Sequence, residues 1–227
     1  MFITGLTAGC KKPLKRGRIS PRNYPNRFMG KSILTLLVTL VFFPAVFALK
    51  LKPNSVYICY VAKVSDGDTI RCRFTYDVSH SVKTYPVRLI GIDTPETGVG
   101  KKNTGKQAKE IDKIAAKFYH EKIDLSRRDV VKLGLEAKRF VESLLKDVYV
   151  VAIETDVEPT DRYGRILGYV WLPDGRMLNR EIICSGYALL LTVPPNVKYQ
   201  ELFRDCFRKA VLQKKGLWGD IANIGGF

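Results

Sequence analysis

The sequence has only two histidines, His80 and His120, in 227 residues, and its five cysteines form no Cys-x-x-Cys pair. That scarcity argues against a structural zinc site, which needs four nitrogen or sulfur ligands at close spacing. No glycine period and no sustained heptad runs through the chain, which excludes collagen-like and coiled-coil architectures. Acids are missing from residues 1–31, and no charged residue stands between Lys31 and Lys50.

What is present is basic and apolar. Lys+Arg number 38 against 22 Asp+Glu, a formal net charge of +16, with 46% hydrophobic and 11% aromatic residues. That much apolar surface excludes a wholly disordered chain, and the length suits one substantial core with appendages. Excess positive charge points to nucleic acid or an anionic membrane surface, although a merely soluble basic protein explains the charge equally well. Eight of the basic residues fall in residues 1–31, so half of the net charge precedes any plausible domain.

Ile33 to Ala48 read ILTLLVTLVFFPAVFA, an apolar run behind a basic flank. It is shorter than the ~20 residues of a spanning helix. Counted from Met29, the segment 29–48 has the basic start, apolar middle and small-residue end (Val46-Phe47-Ala48) of an export signal, which is favoured over a retained anchor or a core helix. Residues 1–28 are then a basic leader or lie ahead of the true start. The expected location is exported, secreted or periplasmic, with membrane attachment only if 33–48 is retained. Cys59, Cys72, Cys184 and Cys206 follow the segment, an even number compatible with an oxidising compartment. Cys59 and Cys72 flank a turn and could be cross-strand neighbours, but buried free thiols are the default expectation.

From Val56 the pattern turns to strand-like runs: 56–64, 69–78 after the Asp66-Gly67-Asp68 turn, and 84–92. Ala108, Ile111, Ile114, Ala115 and Phe118 recur at helical spacing, and Ser126 with Asp129 reads as the N-terminal cap of a second helix running through Leu144. Gly134 inside that helix suggests close packing or a break. Runs at 148–157 and 165–172 follow, then helices near 178–185 and 199–214. The expected class is α+β: a five-stranded OB-fold-like barrel with about three packed helices.

Acids and arginines gather where these runs end: Asp66 and Asp68, then Arg88 with Asp93, Thr94 and Glu96 in RLIGIDTPE, then Asp161 and Arg165 around a tight turn. Pro95 stiffens the loop carrying Thr94 and Glu96. Held oxygens of this kind suit a hard cation and in-line phosphoryl chemistry. Singly, an acidic turn or one Arg–Asp pair is ordinary structural chemistry.

Together these blocks resemble the staphylococcal (micrococcal) nuclease, or thermonuclease, family. DGDT at 66–69, RLIGIDTPE at 88–96, GLEAKRF at 134–140, TDRYGRILGYV at 160–170, DGRMLN with CSGYA between 174 and 188, and GLW at 216–218 stand in the family's order. The resemblance spans 56–218, with an inserted segment at 97–133 and a C-terminal tail at 219–227. It implies a Ca²⁺-dependent nuclease that cuts DNA and RNA with little sequence choice. Asp68, Asp93 and the Thr94 carbonyl would hold the ion. Glu96 would be the general base, and Arg88 and Arg165 would hold the scissile phosphate. Asp66 would support the ion without touching it, and Asp161, Arg162 and Tyr163 would line the nucleotide pocket. A monomer is expected. The competing class is a non-catalytic nucleic-acid-binding barrel, exported or membrane-tethered.

The insertion carries ten Lys+Arg and five acids. A phosphate-tracking surface is one reading, but interleaved acids favour a solvated helical face. Gly100 to Gln107 nearly spells a phosphate-binding loop. Gln107 stands where Ser or Thr would meet Mg²⁺ and no strand leads in, so it is rejected. The family's base-stacking tyrosines have no counterparts near Thr192 and Pro194, and Tyr187 and Tyr199 read as packing aromatics.

Overall fold

The computed structural model describes residues 51–74, 83–98, 100 and 103–226. The leader, the 29–48 segment and the end of the second strand-like run lie outside the described residues. Five strands close a barrel in the order β1-β2-β3-β6-β5: β1 Val56–Asp66, β2 Thr69–Phe74, β3 Tyr85–Leu89, β5 Val150–Glu154 and β6 Ile166–Trp171. All pairs are antiparallel except β3 with β6. Closure removes exposed strand edges.

Alternation decides which way each side chain points. In β2, Ile70, Cys72 and Phe74 are buried, and in β3 Val87 and Leu89 are buried. Arg88 between them therefore faces out of the barrel, opposite Thr69 and next to the Asp66–Asp68 turn.

The third strand-like run does not continue through Ile92. Gly91 turns the chain at a φ of +85°, a conformation open to glycine, and a Cβ there would stand 2.4 Å from the Phe203 ring. Beyond it, the two-residue strand β4, Ile92–Asp93, pairs with β7, Leu189–Leu190, in a separate small sheet. This break carries Asp93, Thr94 and Glu96 away from the barrel wall and back over Arg88.

Five helices are present among the described residues, α1 Thr104–Tyr119, α2 Arg127–Leu144, α3 Leu178–Cys184, α4 Gln200–Leu212 and α5 Leu217–Gly225; α2 and α3 pack on the barrel, and α1 and α5 pack on α2 around a second apolar core. The capping box of α2 forms as expected, with the Ser126 hydroxyl accepting from Asp129 N and Asp129 accepting from Ser126 N. The C-terminal stretch expected as a tail is α5, which buries Trp218, Ile221 and Ala222. Tyr187 stacks on Phe140 with ring centroids 4.2 Å apart, and the Tyr199 hydroxyl donates to Glu154, so both tyrosines serve packing.

The cysteines differ from the free-thiol expectation. Cys59 and Cys72 form one disulfide and Cys184 and Cys206 another. Cys59 lies opposite Phe74 and Cys72 opposite Val61, so both side chains point inward as diagonal neighbours across β1 and β2. The second bond ties the end of α3 to α4. Replacing Cys59 and Cys72 together by Ser is expected to lower unfolding stability by roughly 2–4 kcal/mol, chiefly by freeing the unfolded chain. Urea unfolding of the variant and the oxidised wild type checks it.

Candidate active site

The site is assembled from three chain segments that close approach holds together. At Gly67, in the turn between β1 and β2, an added Cβ would stand 2.8 Å from Thr94 Oγ1. At Gly134, in α2, an added Cβ would meet the carbonyl oxygens of Pro95 and Glu96 at 2.5 Å. Close packing is thus the reason for the glycine inside the helix. The loop bearing Thr94, Pro95 and Glu96 is clamped between the acidic turn and α2.

Asp68 is 6% exposed and its Oδ2 accepts from Thr94 N at 2.8 Å and Thr94 Oγ1 at 3.1 Å. Its Oδ1 accepts from Thr69 Oγ1 and pairs with Arg88 Nη1. Arg88 Nη2 lies 2.5 Å from Asp93 Oδ1. Burial pulls the Arg88 pKa below its ordinary value, against the upward pull of Asp93.

Asp161 organises the other arginine. Its Oδ1 accepts from Tyr163 N and Arg165 N, both at 2.9 Å, and its Oδ2 accepts from Arg165 Nε at 2.7 Å. Burial pushes the Asp161 carboxyl up, but these hydrogen bonds outweigh it and the group titrates below its usual value. Bound through Nε, Arg165 keeps its terminal nitrogens for a ligand.

Asp66, Asp68, Arg88, Asp93, Thr94, Glu96 and Arg165 line one cavity of about 300 Å³, with Asn103 at its rim. A second cavity of about 170 Å³ shares Arg88 and Arg165 and is otherwise largely aliphatic, with Leu167, Leu191, Val193 and Pro194. Asp161 is on its wall. Arg162 and Tyr163 are exposed and do not line it. Arg162 lies over the Tyr163 ring at 4.8 Å and donates to its hydroxyl at 2.6 Å.

Two residues that the sequence reading did not assign to the site belong to it. Gln107, 2% exposed, donates from Nε2 to Asp93 Oδ2 at 2.8 Å and to the Thr94 carbonyl at 2.9 Å, and its Oε1 accepts from Glu96 N at 2.9 Å. Asn103 Nδ2 donates to Glu96 Oε1 at 3.3 Å. Both come from the insertion, at the start of α1. The glutamine that disqualified the phosphate-loop motif is thus the brace of the acidic loop. Its one sequence signal is its place four residues before buried Ile111.

The Asp68 and Asp93 carboxylates, hard oxygen donors, line the first cavity with Thr94, whose carbonyl accepts from Gln107. Four acids against two arginines line it, an excess of two negative charges. Among the described residues no three His, Cys, Asp or Glu side chains cluster as a complete metal site. A hard dication there would complete its shell with water and phosphate oxygens, so the residues fit Ca²⁺.

A family model described as staphylococcal nuclease homologue matches residues 86–220. The chain belongs to the staphylococcal nuclease family. The thermonuclease of Staphylococcus intermedius is 33% identical over 158 residues, 70% of this chain and 74% of that protein. The thermonuclease of Staphylococcus hyicus is 33% identical over 160 residues, 70% and 75% of the two chains. Endonuclease YhcR of Bacillus subtilis is 25% identical over 162 residues, which cover 70% of this chain and 11% of that protein. Within this nuclease family, the bracing of the Asp93–Glu96 loop by Gln107 gives a direct expectation. Gln107→Leu keeps the bulk and removes three hydrogen bonds, so the hydrolysis rate is expected to fall about 10–100-fold, read in a nuclease assay.

Proposed function

We propose that the protein is a Ca²⁺-dependent nuclease that hydrolyses DNA and RNA with little sequence preference. The observation that carries this reading is the single cavity in which Asp68, Arg88, Asp93, Glu96 and Arg165 converge. Two arginines placed apart in the chain and facing one space match a phosphate, since a guanidinium offers paired donors to two oxygens. Asp68, Asp93 and the Thr94 carbonyl would hold Ca²⁺, which when bound supplies positive charge against the phosphate oxygens.

Glu96 lines the same cavity, its Oε1 accepting from Asn103 Nδ2, and is the group placed to activate a water. It takes that water's proton as the oxygen attacks phosphorus and the opposite P–O bond breaks. Arg88 and Arg165 hold the phosphate oxygens as negative charge builds on them. The aliphatic cavity beyond the arginines receives the adjoining nucleoside. Aliphatic walls without an aromatic platform give little discrimination among bases.

Retained acids favour catalysis over a purely binding barrel. Two disulfides and the 29–48 segment support export into an oxidising compartment. Among the described residues no helix is long and apolar enough to cross a membrane.

Incubation of the purified protein with single-stranded DNA and with RNA in Ca²⁺ tests the proposal. Both are expected to shorten to small fragments. Intact RNA would confine the activity to DNA, and two intact substrates would leave the binding-module reading.

A further inference from the structure

The four lysines Lys106, Lys109, Lys113 and Lys117 recur at spacings of three and four residues along α1, which places them on one face of the helix. All four are exposed, opposite the face that buries Gln107, Ala108, Ile111 and Ala115. Of the insertion's five acids, Asp112 and Asp129 are turned to other partners, and Glu121 and Asp124 lie beyond the end of α1. Asp112 Oδ1 accepts from Ile123 N at 2.7 Å, and Asp129 is engaged in the cap of α2. Glu110 is half-buried at the edge of the stripe. None of the four lysines forms an ion pair among the described residues, whereas Lys138 on α2 pairs with Glu142 at 3.9 Å.

The stripe begins at the cleft. Asn103, the residue before α1, lines the first cavity, and Gln107 is bonded to Asp93 and Thr94 inside it. At the same end the Arg127 guanidinium lies 3.5 Å from where a Cβ on Gly105 would stand, adding a further positive charge. From Lys106 to Lys117 the helix rises about 16 Å. At about 3.4 Å per phosphate in a stacked strand, that length spans four to five phosphates.

We propose that the outer face of α1 is a phosphate-backbone track that takes the part of a nucleic-acid strand leaving the cleft past Glu96 and Asn103. The aliphatic cavity shares Arg88 and Arg165 with the acidic one, while Asn103 is on the acidic cavity's rim. A strand with one nucleoside in the aliphatic cavity and its phosphate on the arginines therefore continues over the start of α1. The insertion then does two things: its inner face braces the acidic loop, and its outer face extends the substrate site. Backbone contacts of this kind lengthen and tighten binding without reading sequence. The proposal takes its choice of polyanion from the nuclease reading.

The test uses the full chain carrying Glu96→Gln, so that a labelled 20-nucleotide single strand stays intact while its affinity is measured from 50 to 200 mM salt. One further variant is K106Q/K109Q/K113Q/K117Q. A charge-matched control is K52Q/K63Q/K83Q/K146Q, on surfaces away from α1. Each neutralised phosphate contact on a single strand contributes about 0.7 to the slope of log affinity against log salt. The α1 variant is expected to lose nearly 3 from that slope and at least about tenfold in affinity at 50 mM salt, with the control unchanged in slope. Equal losses in both variants would overturn the track, as would an unchanged slope in the α1 variant. Retained strand binding with lost binding to phosphatidylserine vesicles would overturn it too, in favour of a membrane contact. Matching melting temperatures confirm folding, since exposed substitutions change stability by only about 0.5 kcal/mol. Failure of the nuclease reading is separable: Glu96-containing protein that binds the strand with a track-dependent slope but never cuts it would remove the reaction and keep the track.

Discussion

Glu96→Gln is expected to bind single-stranded DNA as the wild type does and to hydrolyse it about 10²–10⁴-fold more slowly, the range lost with a general base. The substitution conserves shape. The Glu96 main-chain N–H still donates to Gln107 Oε1, and the side-chain oxygen can still accept from Asn103 Nδ2. Asp68, Asp93 and the Thr94 carbonyl are untouched, so Ca²⁺ binding at the proposed site is expected to persist. The loss therefore falls on kcat rather than KM, because the removed group acts on the attacking water and not on the bound phosphate. A rate within threefold of the wild type at saturating substrate would assign the proton transfer elsewhere.

Arg165→Lys is expected to lower kcat/KM about 10³-fold or more, a loss comparable to removing a transition-state arginine in other phosphoryl-transfer sites. An ammonium keeps the charge but cannot offer two parallel donors to a phosphate. Arg165 is the cleaner of the two arginines to vary. Losing Arg88 would leave buried Asp68 without its guanidinium partner, and the resulting instability would obscure any kinetic effect. At position 165 the turn survives, since Asp161 Oδ1 still accepts the two main-chain N–H groups. Asp161, with its pKa held below the ordinary value, contributes stability above the unfolded carboxylate range that is lost as pH falls through the folded pKa. Weakening its partner should thus show as a smaller stability difference between neutral and acidic pH. Steady-state kinetics with melting curves at the two pH values separates the contributions.

Much of the barrel was legible because alternating burial leaves a period-two trace in the chain. The run at 69–78 read as a strand after the Asp66-Gly67-Asp68 turn, and Ile70, Cys72 and Phe74 are its buried face. Asp68, Arg88, Asp93, Glu96 and Arg165 were found by their family motifs, and the structure adds that they share a cavity. Three features escaped for physical reasons. The pair Ile92–Asp93 is too short a strand to leave any periodic signal, and its split from β3 depends on Gly91 and the Phe203 ring far along the chain. Gln107 is a polar residue on an amphipathic helix, and polarity there reads as surface unless its partners are known. Its partners, Asp93, Thr94 and Glu96, lie 11 to 14 residues away across a loop of unpatterned sequence. The Cys59–Cys72 disulfide depended on register: bulges in β1 after Val61 and after Val64 decide which residues face one another across the hairpin. In the insertion, sequence spacing alone does not say that Asp112 turns to Ile123 while the lysines face outward.

The proposed reaction is hydrolysis of phosphodiester bonds in this cleft with Ca²⁺ held by Asp68, Asp93 and Thr94. Digestion of single-stranded DNA by the purified chain, in Ca²⁺ and then in excess chelator, tests it most directly. The account predicts degradation in Ca²⁺, none in chelator, and recovery when Ca²⁺ is returned; an undiminished rate in chelator would contradict it.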